Sequence, residues 1–345
     1  MAYTSVSRRT FSQMTGAAFF AQAGKSATPD GIRIGTRLSP DFSDEDIAFF
    51  QNHGIEYATI WTTTENCNYE YFHRTRERLE SHGIRLLNIG NLDLHCDPTM
   101  VLGLPGFEKK IEQYQQYLRD LGRAGIHYTT YAHMANIKMA PYYATGAATT
   151  RGLKTRFFDL DEAVRLPDSH GRKYSEEEIW NTFTRFIRAV MPVAEQAGVR
   201  IGLHPDDPPV PVLGGVARIF RNADAYQRAI DIAGSDNFGL CFCIGTWAEG
   251  GSRMGKDVYE MIRYFGPRGR IFKVHFRNVD GPLPRFKETL VDDGYIDMKK
   301  AAALLREHNV NAVLIPDHVP AEGLRGPHTA YTIGYMRAVA GSSKV

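Results

Sequence analysis

The chain is predicted to fold as a single (β/α)8 barrel, and three observations carry that prediction. Eight short β-rich runs recur along it, and amphipathic stretches with apolar residues at helical spacing lie between them. Several of the helical stretches end in a glycine just before the next β run, where a left-handed residue can close the helix. No glycine-rich nucleotide loop follows the first run, which argues against the rival open, doubly wound sheet. Eight alternating units in about 300 residues close naturally into a barrel of parallel strands.

The β runs are 32–37, 57–61, 85–90, 128–133, 201–204, 238–243, 271–276 and 312–317. The spacing predicts helices over 44–53, 72–82, 107–124, 179–197, 224–233, 257–264 and 298–307. The third is long and sets Ile111, Tyr114, Leu118 and Leu121 on one face. The glycine closures are His53-Gly54-Ile55, His82-Gly83-Ile84, Ala124-Gly125-Ile126 and Ala197-Gly198-Val199. After the fourth run, 134–174 is long and polar, with Tyr142, Tyr143, Arg151, Lys154, Arg156 and Asp159. A connection of this length in a compact barrel is usually functional, often a lid over the mouth.

The 345 residues carry a formal net charge of +2 and are 43% hydrophobic, an ordinary globular composition. A near-zero net charge argues against a dedicated nucleic-acid binder. No apolar stretch approaches the roughly 18 residues of a spanning helix, so no membrane partner is expected. A small-molecule partner is expected, and a homo-oligomer is left open. The first residues differ from the rest. Ser7-Arg8-Arg9-Thr10-Phe11 is a twin-arginine pattern, a small-residue apolar run extends from Thr15 to Ala23, and Ala21-Gln22-Ala23 reads as a cleavage site. Residues 1–29 are therefore expected to be a Tat export signal, placing the protein in the periplasm; without that signal it would be cytoplasmic. Residues 30–345 are expected to form one domain, the barrel. Four cysteines are too sparse for a disulfide framework in a chain this large, and whether Cys67 pairs with Cys96 is left open.

In such a barrel the chemistry sits where strands end and the following loops begin. The fifth run ends in Leu203-His204-Pro205, the sixth in Phe242-Cys243-Ile244, the seventh in Val274-His275-Phe276 and the eighth in Pro316-Asp317-His318. Each end supplies a side chain able to bind a metal, and neighbouring strands lie close enough for the four to converge on one ion. Mixed N, O and S donors suit Mn(II), Fe(II) or Zn(II). Cys241 shares a strand face with Cys243, but Cys243 stands nearer the loop and is favoured as ligand.

The stretch from His204 to Asp317 resembles the mannonate dehydratase family, barrel enzymes related in fold to xylose isomerase. Cys243-Ile244-Gly245-Thr246 is similar to its Cys-x-Gly-[Ser/Thr] metal motif, and His275-Phe276-Arg277 to its His-x-Arg segment. Phe286-Lys287-Glu288 and Gly294-Tyr295-Ile296-Asp297 resemble its Phe-x-Glu and Gly-x-x-Asp segments, and Pro316-Asp317-His318 its Pro-Asp-His. Upstream, Leu102-Gly103-Leu104-Pro105-Gly106 is also similar. The resemblance implies His204, Cys243, His275 and Asp317 as ligands of Mn(II) or Fe(II), with Zn(II) also fitting the donors, and His318 as catalytic acid or base. The sequence departs from the pattern at Val319, where the family has glycine. It departs again at Gly326-Pro327-His328-Thr329-Ala330-Tyr331, where the place of a catalytic tyrosine falls to Tyr331 or His328.

The implied reaction is a lyase reaction on a sugar acid, D-mannonate to 2-keto-3-deoxy-D-gluconate or a close relative, as in uronate breakdown. The proton beside the carboxylate is removed and the neighbouring hydroxyl leaves as water. Arg277 is expected to grip the substrate carboxylate with a two-pronged hydrogen bond. His318 is expected to move protons near neutrality, and Tyr331 or His328 to carry a second one. A metal-dependent sugar isomerase or epimerase on the same barrel is the alternative. A periplasmic sugar-binding protein with a structural metal is the weaker one.

Overall fold

The computed structural model describes residues 31–135, 144–320 and 325–341. The twin-arginine segment lies outside these residues, as do Tyr142 and Tyr143. In chain order the strands are β1 (Ile32–Leu38), β2 (Tyr57–Thr62), β3 (Arg85–Asn91), β4 (Tyr128–Tyr131), β5 (Ala144–Thr150), β6 (Leu153–Asp159), β7 (Arg200–Leu203), β8 (Val212–Leu213), β9 (Val216–Ala217), β10 (Phe238–Cys243), β11 (Ile271–His275), β12 (Asn278–Val279), β13 (Arg285–Thr289) and β14 (Ala312–Ile315). The helices are α1 (Asp44–Asn52), α2 (Tyr69–Ser81), α3 (Pro98–Leu102), α4 (Phe107–Arg123), α5 (Leu160–Ala163), α6 (Glu176–Ala197), α7 (Ala223–Ala233), α8 (Ile244–Gly250), α9 (Val258–Phe265), α10 (Met298–Glu307) and α11 (Pro327–Ala340).

Eight strands form one parallel sheet in the order β3-β2-β1-β14-β11-β10-β7-β4. Each of the eight expected runs supplies one of them. The two end strands are stitched together by Tyr117 of α4. Its hydroxyl donates to Ile89 O on β3 at 2.6 Å and lies 2.7 Å from Thr129 Oγ1 on β4. The sheet is thereby a near-closed barrel with helices around it.

The seven expected helices are all present. The apolar face read in α4 is buried through Ile111, Tyr114, Leu118 and Leu121. Helix α6 begins three residues earlier than its apolar pattern, because Ser175 and Glu178 form a capping box. Ser175 Oγ accepts from Glu178 N at 3.2 Å, and Glu178 Oε2 accepts from Ser175 N at 2.8 Å. It ends at Gly198, whose φ of +64° is the left-handed closure that the sequence implied.

The polar stretch after β4 is not a bare loop. It contains the β5–β6 hairpin, which pairs antiparallel with β13 to give a second sheet ordered β12-β13-β6-β5. Phe158 and Phe286 stack across the β6–β13 seam with ring centroids 5.5 Å apart. Lys154, Thr155 and Arg156 from β6 and Glu288 from β13 face the barrel mouth and complete the wall of its cavity. Among the described residues, no helix is long and apolar enough to cross a membrane. Cys67 and Cys96, left open as a pair, are both free thiols.

Candidate metal centre and active site

The four strand-end residues expected to bind metal sit on β7, β10, β11 and β14 or one to two residues beyond them. Three converge: His204, Cys243 and His275 each offer a donor atom within 4.8 Å of the others. Asp317 stands outside that trio but beside it, with Oδ2 3.4 Å from His275 Nδ1. The atoms around the cluster leave its donors available. His204 Nδ1 lies 2.8 Å from Pro205 O, so the ring donates there and presents Nε2. His275 Nδ1 is buried and makes no hydrogen bond.

Cys243 is the last residue of β10 and the N-cap of α8. Its Sγ accepts from Thr246 N at 3.4 Å and lies 3.2 Å from Thr246 Oγ1 and 3.4 Å from Arg277 Nη2. Burial opposes its ionisation, yet the charge of Arg277 and hydrogen bonds from His204 and His275 hold the thiol well below its ordinary range. Burial likewise opposes charge on His275, but Cys241 and Asp317 raise its imidazole well above the usual value. Asp317 is also held far down: burial is outweighed by the charges of His318 and His275. A thiol, a carboxyl and two imidazoles buried against one another are the donor types that a divalent ion takes, the thiol as thiolate and the rings neutral. The donor set fits a divalent ion. Cys241 Sγ lies 3.4 Å from His275 Nε2 and borders the cluster from deeper in the barrel.

Arg277, expected to grip the substrate carboxylate, is placed otherwise. Its side chain is 1% exposed and surrounded by acids of the protein. Nη1 donates to Glu249 Oε1 at 2.6 Å and to Glu288 Oε1 at 2.8 Å, and Nη2 to Asp207 Oδ2 at 2.9 Å and Thr246 Oγ1 at 2.9 Å. Nε faces Asp317 Oδ2 at 3.3 Å. The guanidinium therefore holds two of the donor residues, Cys243 and Asp317, in place and has no edge left for substrate. Gly245 permits this approach, since a Cβ there would lie 2.6 Å from Arg277 Nε. Burial, then the charge of Asp207, pushes Glu249 well above the usual carboxylate range.

His318 lies beside the donors at the edge of the cavity. Strand β14 ends at Ile315, and His318 adopts φ +49°, a left-handed conformation uncommon for a non-glycine residue. That turn lets both Asp317 and His318 line the cavity although they are adjacent in sequence. His318 Nδ1 donates to Glu288 Oε1 at 2.7 Å, which fixes the ring and leaves Nε2 facing Arg156 Nη1 at 3.0 Å.

The two candidates for a second proton carrier are not brought to the cavity. Helix α11 contributes Thr329 to its wall, whereas His328 and Tyr331 do not line it. Tyr331 is 43% exposed, and its hydroxyl donates to Asp292 Oδ2 at 2.6 Å. The cavity measures about 520 Å³ and is lined by Arg37, Trp61, Lys154, Arg156 and Lys273, and of the four strand-end donors His275 and Asp317 reach its wall. A groove of about 800 Å³ at the opposite end of the barrel, between Arg33, Arg306 and Arg337, includes none of the metal-capable residues.

Sequence reasoning missed the roles of Glu288, Glu249, Asp207 and Lys273. For Lys273 a signal existed, since a residue two before a strand-end ligand shares its face. For Glu249, on a short helix whose every residue is buried, none did.

Residues 53–162 and 160–335 match the sequence profile of the D-mannonate dehydratase (UxuA) family. The mannonate dehydratase of Streptococcus pneumoniae is 30% identical over 268 residues, covering 70% of this chain and 72% of that one. Mannonate dehydratase 2 of Halalkalibacterium halodurans is also 30% identical over 268 residues, covering 70% and 76%. Among solved structures, the mannonate dehydratase of Streptococcus suis serotype 2 superposes with a TM-score of 0.79 at 23% identity, over 90% of this chain and 94% of that one. A xylose isomerase domain protein of Planctomyces limnophilus shares the fold at a TM-score of 0.59 and 12% identity. With the profile spanning most of the chain and relatives of this similarity, the chain belongs to the D-mannonate dehydratase family.

Proposed function

We propose that this chain is a metal-dependent hydro-lyase that dehydrates D-mannonate or a closely related sugar acid to the 2-keto-3-deoxy acid. The observation that carries the reading is the joining of two parts at one cavity: the donor cluster, which reaches its wall through His275 and Asp317, and His318 held by Glu288. Mn(II) or Fe(II), with Zn(II) as the third choice, would be held by His204, Cys243, His275 and Asp317. When bound, the ion supplies Lewis-acid stabilisation of the negative charge that develops beside the substrate carboxylate.

The chain's own residues then have distinct tasks. His318 moves a proton at Nε2, while Glu288 accepts from Nδ1 and keeps the ring in one tautomer. In the overall change a C–H bond beside the carboxylate and the neighbouring C–O bond break. The electron pair of the first forms the enol double bond, the hydroxyl leaves as water with a proton, and the enol becomes the ketone. Arg277 positions Cys243 and Asp317 from behind. Arg156 and Lys154 give the hairpin side of the cavity a positive wall suited to an acid.

The test is to load the purified protein with Mn(II), Fe(II) or Zn(II) and screen aldonic acids and free sugars. Formation of a 2-keto-3-deoxy acid, read by a thiobarbiturate assay, is the expected result. Isomerised sugars found by NMR, with no such acid, would replace the hydro-lyase by an isomerase or epimerase. The twin-arginine segment adds the proposal that the enzyme is exported. Residues 1–35 fused to a Tat-dependent reporter should reach the periplasm, and retention of that reporter in the cytoplasm would remove the proposal.

A further inference from the structure

The cavity holds more positive charge than its own acids answer. Arg37, Lys154, Arg156 and Lys273 line it, against the carboxylates of Glu288 and Asp317. Both carboxylates are already engaged, Glu288 by Arg277 and His318, Asp317 by Arg277 and His275.

Lys273 is the least expected of the four cations. It precedes His275 by two residues on β11, so the two side chains share the barrel-facing side of the strand. It is 1% exposed and yet borders the cavity. Its one hydrogen bond among the described residues runs to Thr130 Oγ1 on β4, at a long 3.4 Å. Burial is the largest effect and lowers its pKa, Arg37 adds to that, and Cys241, Asp317 and Cys243 favour the ammonium. Cys241 and Asp317 both lie against His275, at 3.4 Å each. An ammonium withdrawn from water without a carboxylate of its own is costly, and an apolar side chain of equal length would fill the space without that cost. What the ammonium offers in return is an anion site beside the donor cluster. Arg37, on β1, faces the same cavity and makes no ion pair or side-chain hydrogen bond among the described residues.

We propose that Lys273 binds the carboxylate of the substrate from within the barrel mouth, with Arg37 as the second cation of the same subsite. The role first expected of Arg277 thus passes to a residue two positions before the histidine ligand. This inference rests on the sugar-acid reading of the site and adds to it the point at which the acid is held.

The test is Lys273→Met, which keeps length and packing and removes the charge, measured on metal-loaded protein. D-mannonate serves as the anionic probe and D-mannitol as its neutral counterpart. The variant should keep its metal and its thermal midpoint, or gain a higher one. It should raise the KM for D-mannonate about tenfold or more, the size expected when a hydrogen bond to a charged group is lost. Inhibition by D-mannitol should not change. Arg37→Gln should shift KM in the same direction by a smaller factor. An unchanged KM overturns the proposal, as does loss of metal or of thermal stability in Lys273→Met, which would make the lysine part of the scaffold. Equal weakening of mannonate and mannitol overturns it too. If the wild type turns over no aldonic acid, the hydro-lyase reading fails by itself. The subsite is then judged by calorimetric binding of D-mannonate to wild type and Lys273→Met, and equal affinity, or no binding to either, overturns it.

Discussion

Replacing Arg277 by methionine separates two accounts of this residue, one as substrate anchor and one as buried keystone. In the structure its guanidinium meets Glu249 at 2.6 Å, Glu288 at 2.8 Å, Asp207 at 2.9 Å and Asp317 at 3.3 Å, with 1% of the side chain exposed. Removing one partner of a single buried ion pair costs about 3–5 kcal/mol, because the other charge is left uncompensated. Here several acids lose their common partner, so the lower end of that range is a conservative expectation. It corresponds to a fall in thermal midpoint on the order of 5–10 °C for a domain of this size. Because Arg277 also touches Cys243 and Asp317, metal content after dialysis should drop with it. Arg277→Lys should recover only part of both, since a single ammonium cannot reproduce the planar fork. Differential scanning calorimetry and elemental analysis of the same samples decide the matter. A methionine variant with the wild-type midpoint and full metal, impaired only in its KM for a sugar acid, would refute the keystone and restore the anchor.

Cys243→Ser should lose the metal, while Cys241→Ser should keep most of it; the opposite result in elemental analysis would transfer the sulfur ligand to Cys241. His318→Asn should retain metal and lose turnover by on the order of a hundredfold or more, as for a general acid–base group; metal-replete protein with full turnover would reduce His318 to a strand-end residue. Ser175→Ala removes the α6 cap and should cost about 1 kcal/mol in denaturant unfolding. Within that cap Glu178 is held down to about 2, first by its hydrogen bond from Arg172 and then by Ser175 N. Its folded pKa lies below the unfolded value near ~4.3. Its contribution is therefore complete above about pH 4.5 and is lost as pH falls toward 2. The gap in thermal midpoint between wild type and Glu178→Gln should close over that interval, and a gap constant with pH would show that the carboxylate charge plays no part.

The barrel was legible because its signals are local and repeated. The β runs are short, each but the last is followed by a stretch of helical spacing, and Gly54, Gly83, Gly125 and Gly198 all stand at positive φ before a strand. The donor cluster was legible for a related reason, since the fold places successive strand ends around one axis and His204, Cys243 and His275 stand at those ends. What remained hidden depends on contacts between distant segments. Nothing local to Glu249 or Asp207 announces that Arg277 will lie between them. Helix α8 has no polar face to produce an amphipathic pattern, because all seven of its residues are buried. The turn at His318 is local, but the Glu288 carboxylate that fixes its ring comes from β13, thirty residues earlier.

The sheet formed by the β5–β6 hairpin and β13 has a consequence for how this scaffold could be altered. Barrel enzymes are often treated as a fixed frame with interchangeable loops, each swapped without regard to the others. Here the segment after β4 and the segment after β11 form one hydrogen-bonded ladder, Arg285 to Asp159 through Lys287 to Phe157. Exchanging either alone would strip a strand of its neighbour and expose an unpaired edge. It would also separate Arg156 from the Glu288–His318 pair that it faces. The two segments are one transplantable unit, and a graft or a recombination breakpoint that respects the mouth of this barrel has to carry both.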